Sequence, residues 1–281
     1  MITCHFRIAA IFCLLFVLSS LRPHPAQGAE DVTPLVLKTS DGIAFSILGA
    51  KPRAPAPTLF VFALDADRTL RSAGYRQAAN FLVDRGYLCV SIDLPCHGAQ
   101  RREGEPTEIK GWRRRFDDGE NVMDEFTQRA TKVLDYLVDE RYSDPARVAA
   151  CGTSRGGFSA CHFAMADPRV KCVAAYIPVA DLTAIAEFKG AESSPLVKST
   201  SLIRNARKLA DRGVWISIGD QDLRVNTDNA IAFARALSAS AASNNRPRNI
   251  ELHVSSIDGH ATPPNAPEQS AAWIDKTLRG P

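Results

Sequence analysis

Short apolar runs closed off by glycine, proline or charge set the rhythm of this chain. Residues 58–63 (Thr-Leu-Phe-Val-Phe-Ala), 87–92, 147–151, 170–177 and 214–218 are too short for helices and lack an exposed polar face. That is the pattern of strands covered on both sides in a parallel sheet. Residues 35–39 and 43–48, joined by Ser40-Asp41-Gly42, read as an antiparallel hairpin, and 250–254 as a final strand. Helical periodicity fills the intervals at 71–85, about 120–140, 158–166, 226–241 and 267–278, while 93–118 reads as a long polar loop. Residues 180–213 read as an irregular helical insertion. Strands alternating with helices require parallel pairing through right-handed crossovers. The expectation is an α/β fold: a mostly parallel eight-stranded sheet, helices on both faces and a small helical insertion after strand six.

Composition narrows the partners. The 281 residues are 45% hydrophobic and 23% charged with a net charge of +3, so nothing calls for nucleic acid or a membrane surface. The first residues stand apart. A basic residue lies within 1–7, residues 8–21 are almost wholly apolar, and Pro23, Pro25, Ala26 and Gly28 follow. This order marks a secretory signal cleaved after Gly28, because the apolar stretch of about 14 residues falls short of the roughly 18 or more of a spanning helix. The expected division is a signal peptide at 1–28 and one domain at 29–281, secreted or periplasmic, without a stable membrane span after cleavage. Five cysteines remain beyond the signal: Cys89, Cys96, Cys151, Cys161 and Cys172. Their odd number and placement in strands and helices favour small buried hydrophobes over a disulfide framework, and no cysteine–histidine spacing suggests zinc.

Chemistry concentrates at Gly152-Thr153-Ser154-Arg155-Gly156-Gly157, between the strand 147–151 and the helix 158–166. Small residues two positions either side of a serine suit a sharp strand-to-helix turn, where strand and helix pass too closely for side chains. A serine nucleophile needs a base and a carboxylate to orient that base. His5 and His24 fall in the signal, and His253 lies mid-strand. His162 stands about 12 Å along the helix from Ser154 at 1.5 Å per residue. His260, in the loop after the last strand, is the preferred base, with His97 as the fallback. For the acid, Asp222 in Gly219-Asp220-Gln221-Asp222-Leu223-Arg224-Val225 is preferred over Asp220 and Asp181.

These motifs, with Asp93-Leu94-Pro95-Cys96-His97-Gly98 and Gly259-His260, resemble those of the α/β-hydrolase superfamily. The likeness is to dienelactone-hydrolase-like and prolyl-oligopeptidase-like catalytic domains. It implies a structural role for His97, and a triad of Ser154, Asp222 and His260 in the order of that fold. It also implies an oxyanion hole from the backbone N–H groups of Arg155 and Asp65. Relatives carry His-Gly where this chain has Ala63-Leu64, and a carboxylate at Asp65 suits an oxyanion only if it turns away or pairs with Arg68. Leu64 and Trp112 are expected to line the substrate cleft, and the run 110–115 to be a solvated face. Arg155 is read either as a substrate-carboxylate ligand or as half of a salt bridge. The expected activity is an exported serine hydrolase acting on a small-molecule carboxylic ester, with no cofactor. The alternatives are a peptidase acting on short peptides and a non-catalytic binding protein.

Overall fold

The computed structural model of the chain describes Met1 and residues 33–279. The expected signal segment therefore lies outside the described residues, apart from Met1. The two N-terminal strands β1 (Leu35–Lys38) and β2 (Ala44–Leu48) form the expected hairpin. Six further strands follow: β3 (Ala56–Phe62), β4 (Leu88–Ser91), β5 (Ser143–Thr153), β6 (Val170–Tyr176), β7 (Gly213–Gln221) and β8 (Ile250–Asp258). They form one sheet in the order β1-β2-β4-β3-β5-β6-β7-β8. β2 runs antiparallel to both its neighbours, and every pairing from β4 to β8 is parallel.

The helices are α1 (Ala66–Arg71), α2 (Ala73–Arg76), α3 (Ala79–Leu82), α4 (Glu108–Asp117), α5 (Val122–Asp139), α6 (Arg155–Ala166), α7 (Pro195–Ser199), α8 (Leu202–Asn205), α9 (Thr227–Ser243) and α10 (Ala266–Arg279). On one face, Phe163 of α6 packs edge-on against Phe60 with centroids 5.0 Å apart, and Phe126 of α5 against Phe62 at 5.1 Å. Strand alternation puts Cys151 and Tyr176 on the opposite face, where Tyr176 bonds Ser270 of α10 and Tyr87 bonds Asp275. All five cysteines are buried and unpaired. The insertion after β6 holds α7, α8 and three 3₁₀ turns. Among the described residues, no helix is long and apolar enough to cross a membrane.

Two expectations need correction. The helix expected at 71–85 is broken into short pieces, first at Ser72, whose backbone is extended, and then at Gln77, which adopts a left-handed φ of 50°. The second break turns the buried Gln77 amide toward the Gly74 carbonyl at 2.6 Å and the Thr153 hydroxyl at 2.9 Å, next to Ser154. The loop expected at 93–118 contains α4, whose Ile109, Trp112 and Phe116 are buried together. Consecutive arginines hid that apolar stripe. Arg113 and Arg114 pair with Asp117 and Asp118 one turn on, whereas Arg115 is buried against Glu105 at 2.8 Å. The run is thus half surface and half interior.

Candidate active site

Three strand ends bring the predicted residues together. Ser154 closes β5 with φ 57° and ψ −116°, a conformation costly for a non-glycine residue. Surrounding structure holds it there: its N–H donates to the Tyr176 carbonyl at 2.8 Å, and its own carbonyl accepts from Phe158 N–H at 3.2 Å. A Cβ on Gly156 would collide with the Phe62 carbonyl, and one on Gly152 with the Gly156 backbone. The glycine spacing therefore has the steric cause that the sequence implied.

The Ser154 hydroxyl lies 2.9 Å from His260 Nε2, and His260 Nδ1 lies 2.7 Å from Asp222 Oδ2. The carboxylate can only accept, so Nδ1 carries the proton and Nε2 presents its lone pair to the serine. Asp222 is fully buried at its side chain, and its other oxygen accepts N–H bonds from Arg224 at 3.0 Å and Val225 at 3.2 Å. Those donors fix the carboxylate plane, which in turn fixes the imidazole. Asp220 accepts from Ile257 N–H and Ser256 Oγ, so it holds β8 rather than the histidine. Asp181 caps the turn at Thr183.

The remaining histidines are engaged elsewhere. His97 is buried and its Nδ1–H donates to the Pro95 carbonyl at 2.8 Å. Burial, reinforced by the Arg155 charge, pulls its pKa below the ordinary histidine value. His162 is packed against Phe158 and bonded to the Thr200 carbonyl, and burial drives its pKa down to about 4. His253 stacks on Trp215 at the sheet edge and pairs with Glu251.

Beside the relay lies a cavity of about 250 Å³ walled by Ala63, Leu64, Tyr75, Ile177 and Arg224 together with Ser154, His260 and Arg155. Larger cavities exist elsewhere, but this one is lined by both Ser154 and His260. Leu64 stands where expected. Trp112 does not: it is fully buried, donates its indole N–H to the Pro95 carbonyl at 2.7 Å and packs near Phe158. The loop leaving the sheet folds back as α4, which turns the indole into the core instead of the cleft.

The loop after β3 settles the fate of the Asp65 carboxylate. It caps α1, accepting from Arg68 N–H at 2.9 Å with the Arg68 guanidinium 3.6 Å away. Leu64 N–H is taken by the Thr69 hydroxyl at 3.0 Å, and Ala66 N–H by Asp93. Among the described residues, Asp65 N–H and Arg155 N–H have no hydrogen-bond partner. Arg155 pairs with Glu108 at 3.2 Å, and Arg224 forms a two-pronged pair with Glu187 at 2.8 Å for each bond. Sequence reasoning did not find Gln77, Thr69, Glu108, Glu187 or Tyr75. Gln77, Glu108 and Glu187 lie far along the chain from Thr153, Arg155 and Arg224, and Thr69 and Tyr75 stand in a segment without a motif.

Known structures share this architecture. TT1662 from Thermus thermophilus superposes with a TM-score of 0.68 at 18% identity, over 89% of this chain and 99% of that one. An acetyl xylan esterase from Paenibacillus sp. R4 gives 0.61 at 17% identity, over 90% of this chain and 86% of the other. The dipeptidyl peptidase 4 of Porphyromonas gingivalis gives 0.63 at 18% identity over 87% of this chain, which spans 35% of that peptidase. No curated protein sequence matches significantly. The sequence profile of the prolyl oligopeptidase family matches residues 73–280, a span from α2 to the end of α10 that includes Ser154, Asp222 and His260. An α/β-hydrolase sheet with this match means that the chain belongs to the prolyl oligopeptidase family of serine hydrolases.

Proposed function

We propose that the protein hydrolyses carboxylic esters of small acyl groups through an acyl-enzyme on Ser154. The observation that carries this reading is the continuous hydrogen-bond relay from Ser154 through His260 to buried Asp222. Ser154 Oγ attacks the ester carbonyl as His260 Nε2 takes its proton, and Asp222 stabilises the imidazolium that forms. The N–H groups of Arg155 and Asp65 hold the oxyanion, unopposed by the Asp65 carboxylate because that group caps α1. His260 returns the proton to the leaving alcohol, then activates water to release the acid. Esters are favoured over amides by an alkoxide leaving group that needs less protonation than an amine, and the cavity of about 250 Å³ suits a small acyl group. The likeness to an acetyl xylan esterase over most of its length points the same way.

Family membership favours the second reading, a peptidase. Labelling with a fluorophosphonate followed by peptide mapping tests the nucleophile: an adduct at Ser154 supports the reading and its absence overturns it. Turnover of aryl esters against aminoacyl and peptidyl amides then separates the two substrates, with faster amide cleavage favouring the peptidase. Export is likewise proposed, from the basic, apolar and small-residue order of 1–28. An exported protein whose N-terminus follows Gly28 supports it; a full-length cytoplasmic product refutes it.

A further inference from the structure

The end of β3 at Phe62, where the loop from Ala63 to Ala66 begins, crosses the first turn of α6 so closely that Gly156 has no room for a side chain. The loop's polar groups are secured on its own side of that crossing. Leu64 N–H donates to Thr69 Oγ1 at 3.0 Å, and Leu64 C=O accepts from Leu94 N–H at 3.1 Å. Asp65 C=O accepts from Thr69 N–H at 3.0 Å, and Ala66 N–H donates to Asp93 at 2.8 Å. None of these bonds reaches α6. The hydrogen bond that does is from Arg155 Nε–H to the Ala63 carbonyl, at 3.3 Å.

The same guanidinium extends Nη2 to Glu108 Oε2 at 3.2 Å. Glu108 is itself held at the start of α4, in a left-handed backbone with φ 59° and its N–H on the Cys96 carbonyl at 3.1 Å. The Arg155 side chain is mostly buried, with 19% of its surface exposed, so it does not wave freely over the cavity. The arrangement is a strut from α4 through a guanidinium to the β3 loop. It meets that loop two residues before Asp65, and it springs from the residue that offers the other unpartnered N–H.

We propose that the Arg155 side chain is a positioning residue for the oxyanion hole, clamping the Ala63 carbonyl to the start of α6 and so setting the spacing of the Arg155 and Asp65 N–H donors. This rests on the acyl-enzyme reading. A planar guanidinium suits the task because it serves a carbonyl and a carboxylate at once in fixed directions, whereas an ammonium acts as a point charge. The clamp comes from across the crossing, not from the Ala63-Leu64 loop itself.

The test measures kcat, KM, thermal midpoint and the rate of fluorophosphonate labelling for the wild type, Arg155→Met, Arg155→Lys and Glu108→Gln. Misplacing a donor without deleting it is expected to lower kcat about 10–100-fold in Arg155→Met. The labelling rate should fall in parallel while KM stays within about threefold, since the ground-state ester does not use the hole. Arg155→Lys should recover only a small part of the loss, since one ammonium cannot hold the carbonyl and the carboxylate together, and Glu108→Gln should show a smaller fall in the same direction. A raised KM with kcat intact would make Arg155 a substrate ligand, and a fall explained by a lowered thermal midpoint would make it structural. Either overturns the clamp. Failure of the wild type to label at Ser154 would remove the acyl-enzyme reading and the clamp together, whereas a labelled wild type with an unaffected Arg155→Met removes the clamp alone.

Discussion

The relay at the ends of β5, β7 and β8 and the loop after β3 face each other across one cavity, yet they are built from different material. The relay is made of side chains: a hydroxyl, an imidazole and a carboxylate in line at 2.9 and 2.7 Å. The loop offers backbone N–H groups, and its polar side chains are engaged locally, Asp65 capping α1 and Thr69 accepting from Leu64 N–H. Side-chain chemistry restricts which residue can stand at a position. Backbone chemistry leaves the residue free provided the N–H is aimed.

If that contrast holds, changes in the relay should be drastic and changes in the loop graded. The largest effect is expected from Ser154→Ala, which should lower kcat by at least about 10⁴-fold with the thermal midpoint unchanged. Asp222→Asn should follow at about 10⁴-fold through the wrong imidazole tautomer. Asp220→Asn keeps the histidine partner and should stay within about tenfold. Equal losses at the two aspartates would break the assignment of the acid.

Loop changes sharpen the other half. Thr69→Val keeps the shape of this buried side chain but leaves Leu64 N–H without a partner. A cost of about 1–3 kcal/mol in stability is expected. The accompanying fall in kcat, about tenfold, should stay well short of the 10²–10³ typical of a deleted donor. A fall as large as that of Asp222→Asn would mean that the loop is as specific as the relay.

The effect furthest from the chemistry, on stability and not on turnover, concerns His162 on α6. His162 is held neutral by burial, with its pKa lowered to about 4, so between about pH 6.5 and 4 the unfolded chain binds a proton that the native chain does not. Stability should therefore decline as pH falls through that window, by up to about 3 kcal/mol from this group, and level off below it. In denaturant titrations His162→Gln should show a shallower decline than the wild type. An identical slope would show that the buried imidazole does not control it.

The fold was readable because apolar runs of strand length report coverage on both faces, and all eight strands appear where the pattern puts them. The Ser154 turn was readable for a steric reason: glycine at 152 and 156 is required where Phe62 crosses. Asp222 and His260 followed from the need for a base and an acid after later strands. Trp112 and α4 were misread because three arginines mask an apolar stripe whose partners, Pro95 and Phe158, lie elsewhere in the chain. The break at Gln77 was hidden for a similar reason, since its partner Thr153 comes 76 residues later.

The amino-acid sequence by itself determined the sheet, the serine turn and the identities of the three relay residues, because local sterics and side-chain chemistry leave few substitutes. Tertiary structure alone decided that Arg155 reaches Ala63 and Glu108 and that Trp112 belongs to the core. Those outcomes depend on which backbone groups meet across crossings distant in sequence, and a backbone N–H or C=O is the same in every residue but proline.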